Sequence, residues 1–282
     1  MPRSVVAPGT LLLGRYRVEG LIGVGGAAEV HRATDVVTGV PVAVKVPDPA
    51  CLRRESERAR FRREVRHLLS VSHPGVVAFL AAGEADGVPF VVLEHLAGGS
   101  LADRFKARTP PRDAVGARDA IAGWLGPVAE ALDAVHAVGV VHRDVKPSNV
   151  LFDAAGRARL ADFGLSRAVH GDSSLTPSGY AVGTPDHLAP EQVRDLPLTG
   201  AADQYALASV VFEAVAGTPP FPRASLGRLL LMKATERAPS LATAAPWCPV
   251  ALVDAVARGL ERAPQDRCAS CAAFAAACLV PA

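Results

Sequence analysis

Two stretches of sequence decide the fold of this chain: His142-Arg143-Asp144-Val145-Lys146-Pro147-Ser148-Asn149 and, further on, Asp162-Phe163-Gly164. The first contains a carboxylate, an ammonium group and an amide within six residues, and the second adds a carboxylate beside a glycine. An isolated loop aspartate is most often a turn former, but a turn does not need this whole set of groups. Phosphoryl transfer does need them: a base for the incoming hydroxyl, a cation for the migrating phosphate and two oxygen donors for Mg²⁺. We therefore assign catalytic roles to Asp144 and Lys146, and metal-ligand roles to Asn149 and Asp162.

Composition places the chain among folded globular proteins. Half of its 282 residues are hydrophobic and 21% are charged, a balance that disfavours disorder. The formal net charge is +2, which gives no reason to expect nucleic acid or an anionic membrane as the main partner. No apolar run approaches the roughly 20 residues that span a bilayer, so we expect a cytoplasmic protein without a membrane span.

The five cysteines also fit a reducing compartment, because an odd number in a long chain argues against a disulfide framework. Two of them form the pair Cys268-Ala269-Ser270-Cys271. A metal site there would need a second pair of ligands at suitable spacing, and the surrounding sequence has none. We expect this segment to be the start of the last helix, capped by Ser270.

The order of elements predicts an α+β chain. Residues 15–18, 29–33 and 41–46 read as strands, as do residues 76–81 and 89–93, and one helix is predicted over residues 53–71. From Leu101 onward helices dominate: Ile121, Leu125, Val128, Leu132 and Val135 form one amphipathic stripe, and residues 201–216 are apolar nearly all round. We expect an N-terminal lobe with an antiparallel sheet and one helix, a mainly helical C-terminal lobe, and a cleft between them. The boundaries are an N-terminal extension at 1–14, an N-terminal lobe at about 15–93, a hinge at 94–99 and a C-terminal lobe at about 100–279.

A glycine-rich segment, Gly23-Val24-Gly25-Gly26-Ala27-Ala28-Glu29-Val30, lies between the first two of these strands. Glycines allow a backbone to approach phosphate groups closely, although an ordinary hairpin turn would also contain them. Lys45 lies on the next strand, where a lone lysine is usually a solvated edge residue. With the glycines before it and Glu64 on the following helix, a role in anchoring phosphates becomes the better interpretation. Glu55 and Glu57 are the alternatives to Glu64 in this arginine-rich helix.

From about Arg15 to Leu279 the chain resembles a protein kinase, and within that superfamily a bacterial eukaryotic-like (Hanks-type) serine/threonine kinase. The resemblance rests on the two opening stretches, the glycine-rich segment and Lys45, together with Gly183-Thr184-Pro185 and Ala189-Pro190-Glu191. It implies the two-lobed kinase fold, and transfer of the γ-phosphoryl group of ATP to protein Ser or Thr hydroxyls with Mg²⁺, for which Mn²⁺ is a possible substitute. The chain departs from the family pattern at Ala28, where the third glycine of the glycine-rich loop is expected.

The same resemblance implies roles for further residues. Asp203 would anchor the catalytic loop, and Arg267 would pair with Glu191. The residues that it assigns to ATP are Ile22, Gly23, Val24, Gly25 and Gly26 of the glycine-rich loop; Lys45 and Glu64 at the phosphates; Val30, Ala43 and Leu151 around the adenine; Leu93 behind it; and Glu94 and Leu96 at the hinge.

Regulation by phosphorylation is expected in the segment between residues 165 and 188. Arg143 supplies a cation beside Asp144, and a phosphate on this segment would pair with it. The alternative is that a Ser/Gly/Pro-rich loop is merely polar. The candidate residues are Ser173, Ser174, Thr176 and Ser178, with Thr176 first, and Thr184. Such phosphorylation of the chain by itself would involve transient self-association.

Two other classes compete with an active protein kinase. A pseudokinase that serves as a scaffold usually lacks at least one of six polar residues, all of which are present here: Lys45, Glu64, Asp144, Lys146, Asn149 and Asp162. A small-molecule kinase of the same fold would not be expected to carry Ala189-Pro190-Glu191 after a long segment that seats a polypeptide. We therefore expect protein substrates. The chain is either a kinase that receives its signal through soluble partners or an excised catalytic domain.

Overall fold

The computed structural model describes residues 6–25, 28–52, 54–69, 71–85, 87–162, 185–221 and 225–280, apart from the side chains of residues 64, 67 and 68. The described chain forms two compact units. The N-terminal unit contains the described residues up to Ser72 and Val77–Leu96, and the C-terminal unit contains His73–Val76 and the described residues from Ala97 onward. A sheet with one α-helix in the first unit and a mainly helical second unit confirm the predicted α+β class.

The N-terminal unit is built on a single antiparallel sheet. Its elements are strands β1 (Leu11–Leu12), β2 (Tyr16–Val24), β3 (Ala28–Asp35) and β4 (Pro41–Pro47), helix α1 (Glu55–Leu68), and strands β5 (Phe79–Ala85) and β6 (Val88–Glu94). The six strands lie in the order β1-β2-β3-β4-β6-β5, and every pairing is antiparallel. Neighbours along the chain therefore pair through short turns, except where α1 intervenes.

Strand β4 shows how the sheet divides its side chains between two faces. Val42, Val44 and Val46 are buried in one apolar cluster together with Phe90 and Val92 of β6. Side chains alternate along a strand, so the residues between these valines point away from that cluster. The β-branched run predicted as a strand is therefore buried on one face only.

The segment predicted as an N-terminal extension joins this core. Val6 and Leu12 are buried in the same cluster, and β1 pairs with β2. Leu13 and Gly14 then turn the chain with φ angles of 51° and 64°. A two-residue strand is too short to show the alternation by which strands are detected in a sequence. Described residues before Arg15 therefore pack with the sheet of the N-terminal unit.

Strand β5 also differs from the prediction, which placed it at residues 76–81. Val76 instead bridges to Leu160 within the C-terminal unit, and the strand runs from Phe79 to Ala85. Residues 81–85 are Ala, Ala, Gly, Glu and Ala, which have low strand propensity. Pairing with β6 overrides that local preference.

Helix α1 falls inside the range predicted for it. It begins with Glu55 and Glu57 in its first turn, where negative charge complements the helix dipole. Phe61 and Val65, one turn apart, are buried. The observed helix is shorter than predicted at both ends.

The C-terminal unit is mainly helical. In chain order its elements are α2 (Leu101–Ala107), α3 (Ala114–Ala122), α4 (Leu125–Ala137), β7 (Val150–Phe152), β8 (Ala158–Leu160), α5 (Pro190–Val193), α6 (Gly200–Ala216), α7 (Leu226–Thr235), α8 (Leu241–Ala244), α9 (Val250–Gly259) and α10 (Cys271–Cys278). Strands β7 and β8 form an antiparallel hairpin. As predicted, α10 begins at Cys271, and the Ser270 hydroxyl caps it by accepting a hydrogen bond from the Ala273 N–H group at 3.1 Å.

The apolar stripe from Ile121 to Val135 is divided between two helices. Helix α3 ends with Gly123 as its C-cap, and α4 begins after Trp124, whose φ of −136° is not helical. The indole N–H of Trp124 donates to the Ala120 carbonyl at 2.8 Å, and its ring is buried. The step of four from Ile121 to Leu125 happens to continue the helical period across this break, so the pattern alone did not reveal it.

Helix α6 forms the centre of this unit. Thr199 caps its N-terminus, and Gly217 ends it in the left-handed conformation with φ of 80°. Almost all of its side chains are buried, as its apolar sequence predicts. Gly259 allows α9 to approach it closely, because a Cβ there would lie 2.7 Å from the Cβ of Ala208. In the described part of the chain, no helix is both long enough and apolar enough to cross a bilayer.

Candidate active site

Asp203 of α6 anchors the loop that carries the predicted catalytic residues. Its side chain is 1% exposed, and its two oxygens accept hydrogen bonds from the backbone N–H groups of His142 and Arg143, each at 2.7 Å. Nε2 of His136 lies 2.7 Å from the same carboxylate. Arg143 has a φ of 70°, which is unfavourable for a residue with a side chain. The bonds to Asp203 hold the backbone in that conformation, and the predicted anchoring contact is confirmed.

Asp144 is hydrogen-bonded to two other polar residues of this loop, Lys146 and Asn149. Its Oδ2 lies 2.7 Å from Nζ of Lys146. The amide nitrogen of Asn149 donates to the backbone oxygen of Asp144 at 2.7 Å and to Oδ2 at 3.2 Å. A single 3-10 turn, Pro147–Asn149, returns the chain toward Asp144 and allows these contacts. The loop thus brings together Asp144, Lys146 and Asn149, with the first two side chains partly exposed.

The β7–β8 hairpin places the two predicted metal ligands at the same end of a rigid element. Asn149 directly precedes β7, and Asp162 follows β8. The pairing of the strands is extended by a hydrogen bond from the Ala161 N–H group to the Asn149 carbonyl at 2.8 Å. His142, fully buried, ties the loop to this hairpin because its Nε2 donates to the Ala161 carbonyl at 2.9 Å. Asp162 has a φ of 65°, a second left-handed residue in this region.

The donor set at this end of the hairpin fits a hard divalent cation. Both hydrogen bonds of the Asn149 amide use its nitrogen, so Oδ1 is the atom left to coordinate a metal. Asp162 contributes a carboxylate. Amide and carboxylate oxygens are the ligands that Mg²⁺ and Mn²⁺ prefer in proteins.

A buried ion pair fixes the end of the segment that resembles a substrate-seating loop. The guanidinium of Arg267 donates to both carboxylate oxygens of Glu191, at 2.6 and 2.8 Å, and both side chains are buried. Arg267 also donates to the carbonyls of Ala201, Glu261 and Arg262, so its donors are used in several directions. The ion pair predicted between these two residues is confirmed.

Sequence reasoning missed several polar contacts around the same segment. Nε2 of Gln192 donates to the Arg143 carbonyl at 2.9 Å, and Nε2 of His187 lies 2.8 Å from the Glu213 carboxylate. In both pairs the partners are far apart along the chain. A sequence signal was available only for Gln192, which adjoins the Ala189-Pro190-Glu191 motif.

Lys233 makes the least expected of these contacts, because a lysine side chain is rarely fully buried. Its Nζ donates to the Leu188 carbonyl at 3.1 Å and lies 5.5 Å and 5.2 Å from the ring centroids of Tyr205 and Phe221. Burial lowers the pKa of this ammonium group to about 7, an effect that the Asp186 carboxylate partly offsets. Through its hydrogen bond to Leu188, Lys233 therefore fixes the backbone just before Ala189-Pro190-Glu191.

Within the N-terminal unit, strands β3, β4 and β6 carry four of the predicted ATP-binding residues on one face. The register pairs Val30 with Lys45 and Ala43 with Leu93, and cross-strand partners point to the same side of a sheet. Strand β2 places Gly23 opposite Val30, where a Cβ would lie 3.9 Å from the Cβ of Val30. The alternate residues of β4 fill the core on the opposite face.

The remaining ATP-binding candidates are distributed as follows. Ile22 and Val24 are exposed residues of β2, and the Gly25 N–H group donates to the Ala28 carbonyl at 2.8 Å. The N–H group of Glu94 donates to the Ala78 carbonyl at 3.0 Å. Leu96 ends the N-terminal unit, and Leu151 lies in β7 of the C-terminal unit.

Several predicted residues lie outside the part of the chain that the structure describes. The backbone of Glu64 is helical, but its side chain is not described. The others are Gly26 of the glycine-rich loop, Phe163 and Gly164 after Asp162, and the regulatory candidates Ser173, Ser174, Thr176, Ser178 and Thr184.

Known proteins that are similar to this chain are protein kinases. The family model of the protein kinase domain matches residues 16–276. The DNA damage-responsive serine/threonine-protein kinase RqkA of Deinococcus radiodurans is 39% identical over 257 residues, which are 90% of this chain and 37% of that protein. The serine/threonine-protein kinase PknH of Mycobacterium tuberculosis is 38% identical over 262 residues, which are 92% of this chain and 40% of that protein.

A solved structure extends the similarity to three dimensions. The crystal structure of the Mycobacterium tuberculosis PknI kinase domain matches with a TM-score of 0.76 and 30% sequence identity, and the match covers 97% of this chain and 98% of that one. The chain spans less than half of the length of the curated relatives that it matches. Because the domain match runs over nearly the whole chain and relatives share more than a third of its residues, this chain is a member of the protein kinase family, of the bacterial Hanks type.

Proposed function

We propose that this chain transfers the γ-phosphoryl group of ATP to serine or threonine hydroxyls of proteins. The observation that carries the proposal is the arrangement of Asp144, Lys146 and Asn149 in a loop that buried Asp203 fixes at two backbone N–H groups. Catalysis by such a site depends on positioning and on charge neutralisation rather than on a covalent intermediate.

Each polar group of the loop has a distinct role in this mechanism. The Asp144 carboxylate orients the incoming hydroxyl and accepts its proton. The ammonium group of Lys146, 2.7 Å from Asp144, also neutralises charge that develops on the transferred phosphoryl oxygens. Because Lys146 and Asn149 both contact Oδ2 of Asp144, the carboxylate has a defined orientation before the substrate arrives.

We further propose that the cation is Mg²⁺, held by Oδ1 of Asn149 and the carboxylate of Asp162, with Mn²⁺ as a substitute. When bound, it would neutralise phosphate charge. ATP would also contact Lys45 and Glu64 at its phosphates, the glycine-rich segment 22–26, and the apolar residues Val30, Ala43, Leu93 and Leu151 at its base. Support for the N-terminal part of this set is the common sheet face shared by Val30, Lys45, Ala43 and Leu93.

A protein rather than a small molecule is the proposed acceptor. Buried Lys233 donates to the Leu188 carbonyl and buried Arg267 to the Glu191 carboxylate, which gives the end of the substrate-seating segment a fixed position. The Ala189-Pro190-Glu191 motif after a long segment also resembles the part of protein kinases that seats a polypeptide, which favours a protein acceptor. The cytoplasm, where ATP is available and free cysteines stay reduced, is the compartment that we propose.

Autophosphorylation of the segment 165–188 is proposed as the regulatory step, with Thr176 as the first candidate and Ser173, Ser174, Ser178 and Thr184 as the others. It would involve transient self-association, and a phosphate there would pair with Arg143 beside Asp144. Incubation with ATP followed by mass spectrometry tests this proposal. Phosphate within residues 165–188 is expected, and phosphate confined to other segments would contradict it.

The activity itself is tested by comparing the wild type with Asp144→Ala. We expect turnover on a protein substrate to fall by about two to four orders of magnitude, the contribution of a positioned base, while the affinity for ATP stays nearly unchanged. Wild-type turnover in the variant would show that Asp144 is not the base.

A further inference from the structure

A second cluster of side chains that could hold a metal ion lies next to Asp203, which separates it from the catalytic loop. It contains Asp133 and His136 of α4 and Cys271, the first residue of α10. One ligand atom from each, an oxygen, a nitrogen and a sulfur, lie within 4.8 Å of one another. Among the described residues this is the one group of three such side chains found so close together.

The ring of His136 is oriented as it would be in a metal site. Nε2 lies 2.7 Å from the carboxylate of Asp203, which leaves Nδ1 on the side of Asp133, 3.9 Å from Oδ1. Gly200 packs against the ring, because a Cβ there would lie 2.5 Å from Nδ1. A histidine that binds zinc through one nitrogen usually donates its other N–H to a carboxylate or carbonyl, and Asp203 occupies that outer position here.

Asp133 is held equally firmly. Its two oxygens accept hydrogen bonds from the backbone N–H groups of Cys271 and Ala272, both at 2.9 Å. These bonds fix the start of α10 to α4, so the thiol and the carboxylate keep their relative positions. Each carboxylate oxygen retains a lone pair after accepting one hydrogen bond, and a cation can take it.

The surroundings of Cys271 favour a cation. The thiol is 1% exposed; burial raises its pKa well above the ordinary value, and the Asp203 and Asp133 carboxylates raise it further. Two carboxylates close to a buried sulfur give it a negative surrounding, which a bound cation would neutralise. The side chains of His136 and Asp133 are 18% and 28% exposed, so an ion and a water ligand can approach from solvent.

We propose that Asp133, His136 and Cys271 form a site for Zn²⁺, with a water molecule as the fourth ligand. One carboxylate oxygen, one imidazole nitrogen and one thiolate sulfur make up a tetrahedral zinc set with an open position. The thiolate distinguishes this site from the oxygen-only pair Asn149 and Asp162, since Mg²⁺ has little affinity for sulfur. In the sequence, no second pair of ligands lies near Cys271. In the fold, Asp133 and His136 of α4 supply that pair, from more than a hundred residues earlier in the chain.

The site would also share a residue with the catalytic machinery. Asp203 is at once the outer partner of His136 and the acceptor for the backbone of His142 and Arg143. Zinc is therefore expected to stabilise the folded chain, because its ligands come from two helices that the unfolded chain does not bring together.

Titration of the metal-free full chain with Co²⁺ tests the proposal, because thiolate coordination gives a charge-transfer band in the near ultraviolet. We expect this band to saturate at one equivalent and to disappear on addition of Zn²⁺ but not of excess Mg²⁺. Cys271→Ser should abolish the band and weaken Zn²⁺ binding by about tenfold or more, and Asp133→Asn should also weaken binding.

Two other cysteines provide matched controls. Cys278→Ser changes a buried thiol on the same helix, and Cys268→Ser changes the other member of the Cys-x-x-Cys pair; both variants should keep the band. If Cys271→Ser does not fold, the X-ray absorption spectrum of the wild-type zinc complex decides, with one sulfur expected at about 2.3 Å. A wild-type protein without the band, a band that survives in folded Cys271→Ser, or a spectrum without sulfur would overturn the proposal.

Discussion

At the scale of single residues, the site depends on buried polar side chains, and Asp203 is the clearest case. Asp203 accepts hydrogen bonds from two backbone N–H groups and lies within hydrogen-bonding distance of His136, and these contacts hold Arg143 at an unfavourable φ. The anchoring role of Asp203 could be predicted, because the resemblance to a kinase assigns that role to it. Lys233 could not, since its partner Leu188 is distant in sequence and contributes only a carbonyl.

Replacing Asp203 by Ala is expected to damage both stability and activity. The buried N–H groups of His142 and Arg143 would lose their acceptor, and each unsatisfied buried donor costs about 1–3 kcal/mol. Urea unfolding should show this loss, and turnover should fall because Asp144 follows Arg143 directly. Asp254→Asn, an exposed aspartate on α9, is the control and should change neither quantity. An Asp203→Ala variant with wild-type turnover would contradict the anchoring role.

Replacing Lys233 by Met should change how stability depends on pH. A lysine in the unfolded chain titrates near pH 10.4, whereas the pKa of folded Lys233 is about 7. Between those values the unfolded chain binds more protons, so the Lys233 contribution makes the wild type more stable as pH rises. The difference in unfolding free energy between the wild type and Lys233→Met should therefore increase from pH 7 to pH 9 and stay constant below pH 7.

Urea titrations at several pH values measure that difference. Lys106→Met, which alters an exposed lysine on α2, should show no such trend relative to the wild type. A difference between the wild type and Lys233→Met that is flat from pH 6 to pH 9 would mean that the ammonium group keeps its charge inside the protein.

At the scale of elements, long patterns were predicted well and short or interrupted ones were not. The β-branched run of β4 and the apolar helix α6 have strong periodic signals, and both form as expected. Strand β1 has two residues, and the break at Gly123 and Trp124 lies inside a continuous apolar stripe. In both cases contacts with distant residues determine the local structure, and the neighbouring sequence does not indicate those contacts.

The end of α6 offers a direct test of a backbone requirement. Gly217 has a φ of 80°, and a Cβ there would lie 2.5 Å from Cγ of Pro110. Gly217→Ala should lower the unfolding free energy by about 1–2 kcal/mol from the left-handed backbone alone, with a further loss from the contact. Gly227→Ala, inside α7 with open space around it, should instead be neutral or stabilising. Equal effects of the two substitutions on urea unfolding would contradict this account.

At the scale of the whole molecule, contacts between distant segments fix the site, and the sequence indicated only those that belong to a motif. Glu191 and Arg267 are predictable partners, 76 residues apart. The hydrogen bonds from Cys271 and Ala272 to Asp133, and the packing of His136 against Gly200, have no counterpart in a local pattern. The catalytic loop could therefore be assigned from sequence, whereas its supports became visible only in the fold.

The Glu191–Arg267 pair should be strongly coupled. Arg267→Met leaves a buried carboxylate without its partner, which typically costs about 3–5 kcal/mol. Glu191→Gln combined with Arg267→Met should lose much less than the sum of the two single substitutions in a urea double-mutant cycle. Arg62→Met, which breaks exposed pairs with Glu55 and Glu84, should have little effect. Additive losses at Glu191 and Arg267 would show that the two residues act independently.

The central claim, that this chain is an active serine/threonine kinase, is tested most directly by labelled phosphate. The purified chain and its Asp144→Ala variant are incubated with γ-labelled ATP, Mg²⁺ and a protein substrate, and the labelled amino acids are identified. We expect phosphoserine or phosphothreonine with the wild type and almost none with Asp144→Ala. Equal label with both proteins, or none with a wild type that is shown to bind ATP, would contradict the account.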